Sequence, residues 1–310
     1  MTVWRTRRFE IDLSRPRVMG IVNVTPDSFS DGGRFHATDA ARAHCDRLVG
    51  EGADLLDIGG ESTRPGAAPP GPGEEAARVL PVLRHAVTLG VPVSVDTSDP
   101  ALMRQALELG VDVINDVRAF RRPGAWDVLA ADGQLGACLM HMPSDAGGHA
   151  QASDCRLGHK PSDPVRVQPP VEPDRMQRDP RYVDVVREVR DFLAERLRVA
   201  DTHGIDRRRL VVDPGYGFGK TLAHNLALSR RQPELLDLGV PLLAGWSRKG
   251  SLGALAGRPV QQRTAASVGA ALAAVRQGAA VVRVHDVAAT VDALRVWCAL
   301  TVTVGDAPYN

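Results

Sequence analysis

The chain has 310 residues, with 38 Lys and Arg against 37 Asp and Glu, a formal charge of +1 and 44% apolar residues. That length suits two ordinary domains or one large α/β barrel, and the composition excludes a chain disordered throughout. The near-neutral balance argues against a nucleic-acid coat or a polybasic membrane binder, and no apolar run nears the roughly 18 residues of a spanning helix. Residues 1–16 are too polar and Arg-rich for a secretory leader and read as an N-terminal extension. Eight strand-length runs follow: Arg17–Val22, Asp54–Ile58, Val91–Val95, Val111–Ile114, Gly136–Met140, Leu210–Val212, Val240–Ala244 and Ala280–Val284. Runs apolar on both faces read as strands of a buried parallel sheet. Between them Ala37–Gly52, Glu74–Leu89, Pro100–Leu109, Tyr182–His203 and Val287–Ala299 carry apolar residues at helical spacing. Gly52, Gly90, Gly110, Gly133, Gly204, Gly239 and Gly278 each precede a strand run. There a left-handed glycine would end the preceding helix.

Eight such units predict a single α/β domain, a (β/α)8 TIM barrel over residues 17–303, with an open doubly wound sheet as the structural alternative. Residues 143–180 are rich in Pro, Gly, Asp, Ser and Arg and have no apolar period. They are expected to form a long inserted loop after the fifth strand, and residues 304–310 a C-terminal tail. His149, Cys155 and His159 lie in that loop, but their spacing lacks the second ligand pair of a zinc site, so a solvated loop is preferred. Cys45, Cys138, Cys155 and Cys298 are scattered without a CxxC pair, as reduced thiols of a cytoplasmic protein would be.

In such a barrel the chemistry gathers at the C-terminal ends of the strands. Those ends carry Asn23, then Gly59 to Gly66, Asp96, Asn115-Asp116, His141, Asp213, Ser247-Arg248-Lys249 and Arg283-Val284-His285-Asp286. Helix caps explain some of the Asp, Asn and Ser residues, but not the whole set. Asp96, Asn115 and Asp213 can read the donor–acceptor edge of a flat heterocycle. Lys249, Arg283 and His285 belong to the last two strands, which commonly frame a barrel's phosphate site, and they suggest an anionic substrate. Pro214 to Thr221 imitates a P-loop, but Pro214 stands where that loop needs Gly and has no N–H for a phosphate.

Taken in order, several motifs resemble the dihydropteroate synthase family. They are Met19 to Gly33, Gly59 to Gly66, Val95-Asp96-Thr97, Ile114-Asn115-Asp116, Leu139 to Met142, Asp213 to Lys220, Ser247-Arg248-Lys249 and Arg283 to Asp286. The resemblance spans about residues 14–300 and implies a pterin-binding barrel. Its reaction would condense 6-hydroxymethyl-7,8-dihydropterin diphosphate with 4-aminobenzoate to 7,8-dihydropteroate and diphosphate. By position, it implies Asp96, Lys249, Arg283 and His285 as catalytic. Asp96, Asn115, Asp213 and Lys249 would hold the pterin, and Thr63, Arg283 and His285 the diphosphate. Asn23 would bind Mg2+. Phe29, Ser30, Asp31, Ser62, Arg64, Pro65, Phe218 and Gly250 would border the aminobenzoate or form the lid loops. It further implies small-molecule partners only, with no nucleic acid or membrane, and a homodimer. The sequence departs from the family at Gly250, where a Ser is usual and main-chain N–H remains for the aminobenzoate carboxylate. It departs again at Trp246, which would crowd or support the pocket floor, and in the length of the 143–180 loop. A pterin-binding paralogue with weak or no activity and a methyltetrahydrofolate-type methyltransferase are the alternatives.

Overall fold

In a computed structural model, residues 2–24, 33–61, 71, 73–143 and 180–301 are described. Strands β1 (Val3–Arg5) and β2 (Glu10–Asp12) form an antiparallel ribbon. The remaining strands are β3 (Arg17–Asn23), β4 (Leu55–Gly59), β5 (Val93–Asp96), β6 (Val113–Asp116), β7 (Gly136–Met140), β8 (Leu210–Asp213), β9 (Leu242–Ala244) and β10 (Ala279–Val284). These eight pair in parallel in chain order, and β10 closes on β3 to complete the barrel. The expected (β/α)8 architecture is therefore present, and the open-sheet alternative is excluded.

The strands alternate with period two, and the two faces differ. Val18, Val22, Leu56, Ile58, Val95 and Ile114 pack outward with the helices. Met19, Leu55, Val113, Cys138, Val211, Leu243 and Val281 form a separate apolar cluster inside the barrel. The interior is thus apolar at its lower, N-terminal end. Further up, the same inward parity falls on Asn23, Asp57, Asp96, Asn115, Asp213, Arg283 and His285.

The ribbon β1–β2 covers the lower end. Trp4 and Ile11 join the interior cluster, and the Trp4 indole N–H donates to the Arg209 carbonyl at 3.0 Å. Arg8 anchors the ribbon by donating from its main-chain N, Nε and Nη2 to the Asp112 carboxylate. With three residues and one buried side chain per strand, the ribbon gives too weak a pattern to mark as paired strands.

Helix ends follow the expected chemistry with two adjustments. Six of the seven glycines preceding strands are left-handed, with φ between 71° and 95°; Gly133 is not. The helix Ala125–Ala131 instead ends at an extended Asp132, whose carboxylate accepts from the N–H groups of Gln134 and Leu135 at 2.8 and 2.9 Å and closes the turn. The helix expected from Tyr182 begins at Val185, because the Asp184 carboxylate caps it by accepting from Val186 N and Arg187 N. Helices Leu222–Arg230 and Thr264–Arg276 were not singled out in the sequence. No described helix is long and apolar enough to cross a membrane. Cys45, Cys138 and Cys298 are buried free thiols, as expected.

Candidate active site

Parallel register sets the level of each candidate side chain. Asn23 aligns with Gly59, Gly59 with Asp96, and Asp96 with Asn115, so four adjacent strands share one level at the C-terminal mouth. Asp213 ends β8 beside Met140 of β7. Arg283 starts lower, opposite Met19, but its long side chain reaches up the interior. Its Nη2 donates to Asp96 Oδ2 at 2.8 Å and its Nε to Asp57 Oδ2 at 2.6 Å. The same Asp57 oxygen accepts from Asn115 Nδ2 at 3.0 Å. One buried carboxylate thereby ties an amide on β6 to a guanidinium on β10.

Asp57 is fully buried, and its Oδ1 has no hydrogen-bond partner among the described residues. Its role escaped the sequence reading because it lies inside an apolar run. The available signal was period two: a charged residue at an inward position, one step below Gly59. Such a charge is stable inside a barrel only when paired.

The charges of the mouth perturb one another. Burial would lower the Arg283 guanidinium, but Asp57 and Asp96 outweigh it and hold the charge more firmly than usual. Burial raises the Asp96 carboxyl, opposed by Arg283. It also raises Asp213, opposed by the Gly215 N–H that donates to Asp213 Oδ1 at 2.7 Å and by Lys249. Lys249 is lowered to about 8 by burial and then Arg283, with Asp213 and Asp96 opposing. Its Nζ lies 3.8 Å from the centroid of the Phe218 ring, a cation–π contact. Burial, followed by Arg283 and Arg248, lowers His285 to about 3, so its imidazole is neutral at physiological pH.

The loop after β8 is shaped by glycine. A Cβ on Gly215 would lie 2.0 Å from the His141 carbonyl oxygen, and Gly215 has φ of 69°. Inside this loop the buried Lys220 Nζ meets His141 Nδ1 at 3.0 Å and donates to the carbonyls of Gly215 and Phe218 at 2.9 and 3.0 Å. Lys220 therefore ties the loop to itself. This is the reverse of a P-loop, whose main-chain N–H groups point at phosphate.

Two departures from the family have clear placements. Trp246 stacks on Tyr216 with ring centroids 4.2 Å apart and belongs to the outer hydrophobic layer, so it supports the β8 loop without crowding the mouth. Gly250 opens a short helix, and a Cβ there would meet nothing within 4 Å. Arg248 has φ of 58° and forks onto Asp286 through Nε and Nη2 at 3.1 and 2.6 Å.

The structure thus brings together Asn23, Asp96, Asn115, Asp213, Lys249, Arg283 and His285, with Phe218 against Lys249. Phe29, Ser30, Asp31, Ser62, Thr63, Arg64 and Pro65 lie outside the described residues, as do residues 144–179 and with them His149, Cys155 and His159. Among the described residues no three His, Cys, Asp or Glu side chains are grouped to hold a metal.

Comparisons with known proteins point to one family. The family described as pterin binding enzyme matches residues 19–285. The dihydropteroate synthase of Neisseria meningitidis serogroup B is 47% identical over 304 residues, covering 96% of this chain and 97% of that protein. A solved structure of Xanthomonas albilineans dihydropteroate synthase with 4-aminobenzoic acid is 50% identical, with a TM-score of 0.81, over 95% of this chain and 96% of that one. Another from the same organism, in complex with 7,8-dihydropteroate, is 47% identical, with a TM-score of 0.78, over 95% of this chain and 97% of that one.

Proposed function

The chain belongs to the dihydropteroate synthases, within the pterin-binding enzymes, and from that premise we propose how its residues condense 6-hydroxymethyl-7,8-dihydropterin diphosphate with 4-aminobenzoate. The observation that carries the assignment is the convergence of two carboxylates, an amide and an ammonium on the interior of one barrel mouth. Asp96 and Asp213 accept N–H groups of the pterin's guanidine-like edge, a paired, charge-assisted recognition. Asn115 and Lys249 donate to its carbonyl and ring nitrogen. Asp57 keeps Asn115 oriented, which supports a fixed amide at that position.

Arg283 and His285 hold the diphosphate. Two of the five guanidinium N–H groups of Arg283 are engaged by Asp57 and Asp96. The others make no hydrogen bond among the described residues and remain for phosphate oxygens. The bond that breaks joins the pterin methylene carbon to a diphosphate oxygen, which departs with the electron pair. The aminobenzoate nitrogen gives its lone pair to that carbon and then loses a proton. Negative charge grows on the leaving group, and Arg283 is placed to stabilise it. The arylamine is already neutral, so no strong base is required. Phe218 borders the aminobenzoate, and main-chain N–H at Gly250 meets its carboxylate.

Asn23 is the residue that would hold Mg2+. Its amide makes no hydrogen bond among the described residues and stands at the mouth level with Asp96. Mg2+ prefers hard oxygen ligands and often takes few from the protein and the rest from substrate phosphates and water. One amide oxygen without a carboxylate cage fits a metal that arrives with the diphosphate. When bound, the ion supplies positive charge against the leaving group. The same reading takes the protein as cytoplasmic, supported by its buried unpaired thiols. It also takes the protein as a homodimer, supported by the exposed Val296 and Leu300 on the last helix.

Asp96→Ala and Asp213→Ala test the pterin assignment by calorimetry with the pterin diphosphate. Each charged hydrogen bond lost is worth about 1.5–3 kcal/mol, so each variant should bind at least about tenfold more weakly while folding normally. Unchanged affinity in both variants overturns the assignment.

A further inference from the structure

The imidazole of His285 has one engaged and one unengaged nitrogen. Nδ1 lies 3.0 Å from the Ser247 Oγ, while Nε2 has no hydrogen-bond partner among the described residues. The same hydroxyl oxygen accepts the main-chain N–H of His285 at 3.1 Å. Ser247 is buried at 5% exposure, and among the described residues its own O–H has no acceptor other than His285 Nδ1. If Nδ1 carried the ring proton, the hydroxyl proton would be buried without an acceptor. Such groups are rare in folded proteins because they forfeit hydration for nothing. The hydroxyl therefore donates to Nδ1, and the ring proton resides on Nε2.

We propose that Ser247 is a positioning residue that locks His285 as the Nε2–H tautomer and thereby makes it a neutral hydrogen-bond donor to the diphosphate. This rests on the reading that His285 faces that group. The chemistry explains why one tautomer is needed. A diphosphate oxygen only accepts, so Nε2–H attracts it, whereas a bare Nε2 lone pair repels it. Protonating the ring would give the same donor, but beside Arg283 and Arg248 and in a buried position the imidazolium is disfavoured. A tautomer lock supplies the donor without the charge. It also aims the ring, because the two contacts to one hydroxyl, from the main chain and from the side chain, fix its rotation. His285 follows Arg283 by two residues, just past the end of β10, and is close enough to feel its charge, so in this reading their donors meet one anion.

The test uses the full chain with histidine 15N-labelled, read by two-bond proton–nitrogen correlation at pH 7.5, with inorganic diphosphate as the ligand in calorimetry. The wild type should show His285 protonated at Nε2 only. Ser247→Ala should move the proton partly or wholly to Nδ1 and weaken diphosphate binding about tenfold, as losing one hydrogen bond to a charged group would. Ser247→Thr, which keeps the hydroxyl, should retain the Nε2–H signature and stay within about threefold of wild-type affinity. Ser247→Gly, which also lacks the hydroxyl, provides the same reading if the Ala variant does not fold. An Nδ1–H tautomer in the wild type overturns the proposal, as does an unchanged tautomer and affinity in the Ala or Gly variant. The underlying reading fails separately: His285→Ala would then bind diphosphate like the wild type, even with the Nε2–H tautomer observed.

Discussion

Glu75 shows what a single buried carboxyl does to the whole protein's pH response. It lies in the first turn of the helix Glu74–Ala86, packs against Gly60 and is 8% exposed, with Oε1 unpartnered among the described residues. Burial raises it from 4.5 to about 7, with the Thr97 hydrogen bond opposing and Glu61 and Asp99 adding to the rise. Between those two values the folded protein holds a proton that the unfolded chain has released. Stability therefore falls as pH rises from 4.5 through about 7. Glu75→Gln removes the charge and keeps the shape. It should be more stable than the wild type by about 1–2 kcal/mol at pH 8 and indistinguishable from it at pH 4, as urea denaturation at the two pH values will show.

The ribbon β1–β2 does at the scale of an element what no single strand of the barrel can. A barrel interior must be filled, and here the lower end is filled from outside by Trp4 and Ile11. Trp4 is fully buried and carries both packing and one hydrogen bond to Arg209. Trp4→Ala should cost about 3–5 kcal/mol by cavity formation, and Trp4→Phe only about 1–2 kcal/mol through a smaller void and the lost indole donor. Both are read from denaturation midpoints. Turnover at saturating substrate should stay close to wild type in both, because the ribbon lies at the opposite end from the mouth. The loop after β8 is a second element with one purpose. Its glycines let it pass His141 and Lys249, and Lys220 ties off its carbonyls, which leaves Asp213 and Lys249 facing the interior.

Across the whole molecule the barrel is polarised, with an apolar, plugged lower end and a charged mouth. In the mechanism proposed above, what that mouth offers 4-aminobenzoate among the described residues is one aromatic face at Phe218 and main-chain N–H at Gly250, which is little to bind a small carboxylate. In the proposed mechanism the diphosphate and its metal complete the pocket. Calorimetry should therefore find weak 4-aminobenzoate binding to the bare protein and much tighter binding once a pterin, diphosphate and Mg2+ are present. Equal affinity in the two conditions would show that the aminobenzoate pocket is preformed.

What sequence alone determined was the repeating unit and the chemistry at its ends. The period of each run distinguished strand from helix, and left-handed glycines marked six of the seven expected stops. Motifs at the strand ends then placed Asn23, Asp96, Asn115, Asp213, Lys249, Arg283 and His285 at one mouth, because consecutive parallel strands must all end on the same side. These are local properties, carried by a few neighbouring residues. Tertiary structure alone decided which charges touch. Asp57 meets Arg283 226 residues away, and Ser247 meets His285 38 residues on. Such contacts depend on register and barrel closure, which set strand ends against one another in space and leave no mark on the spacing of residues along the chain. The same holds for Trp4, whose single apolar side chain becomes the floor of the barrel only once the strands have closed around it.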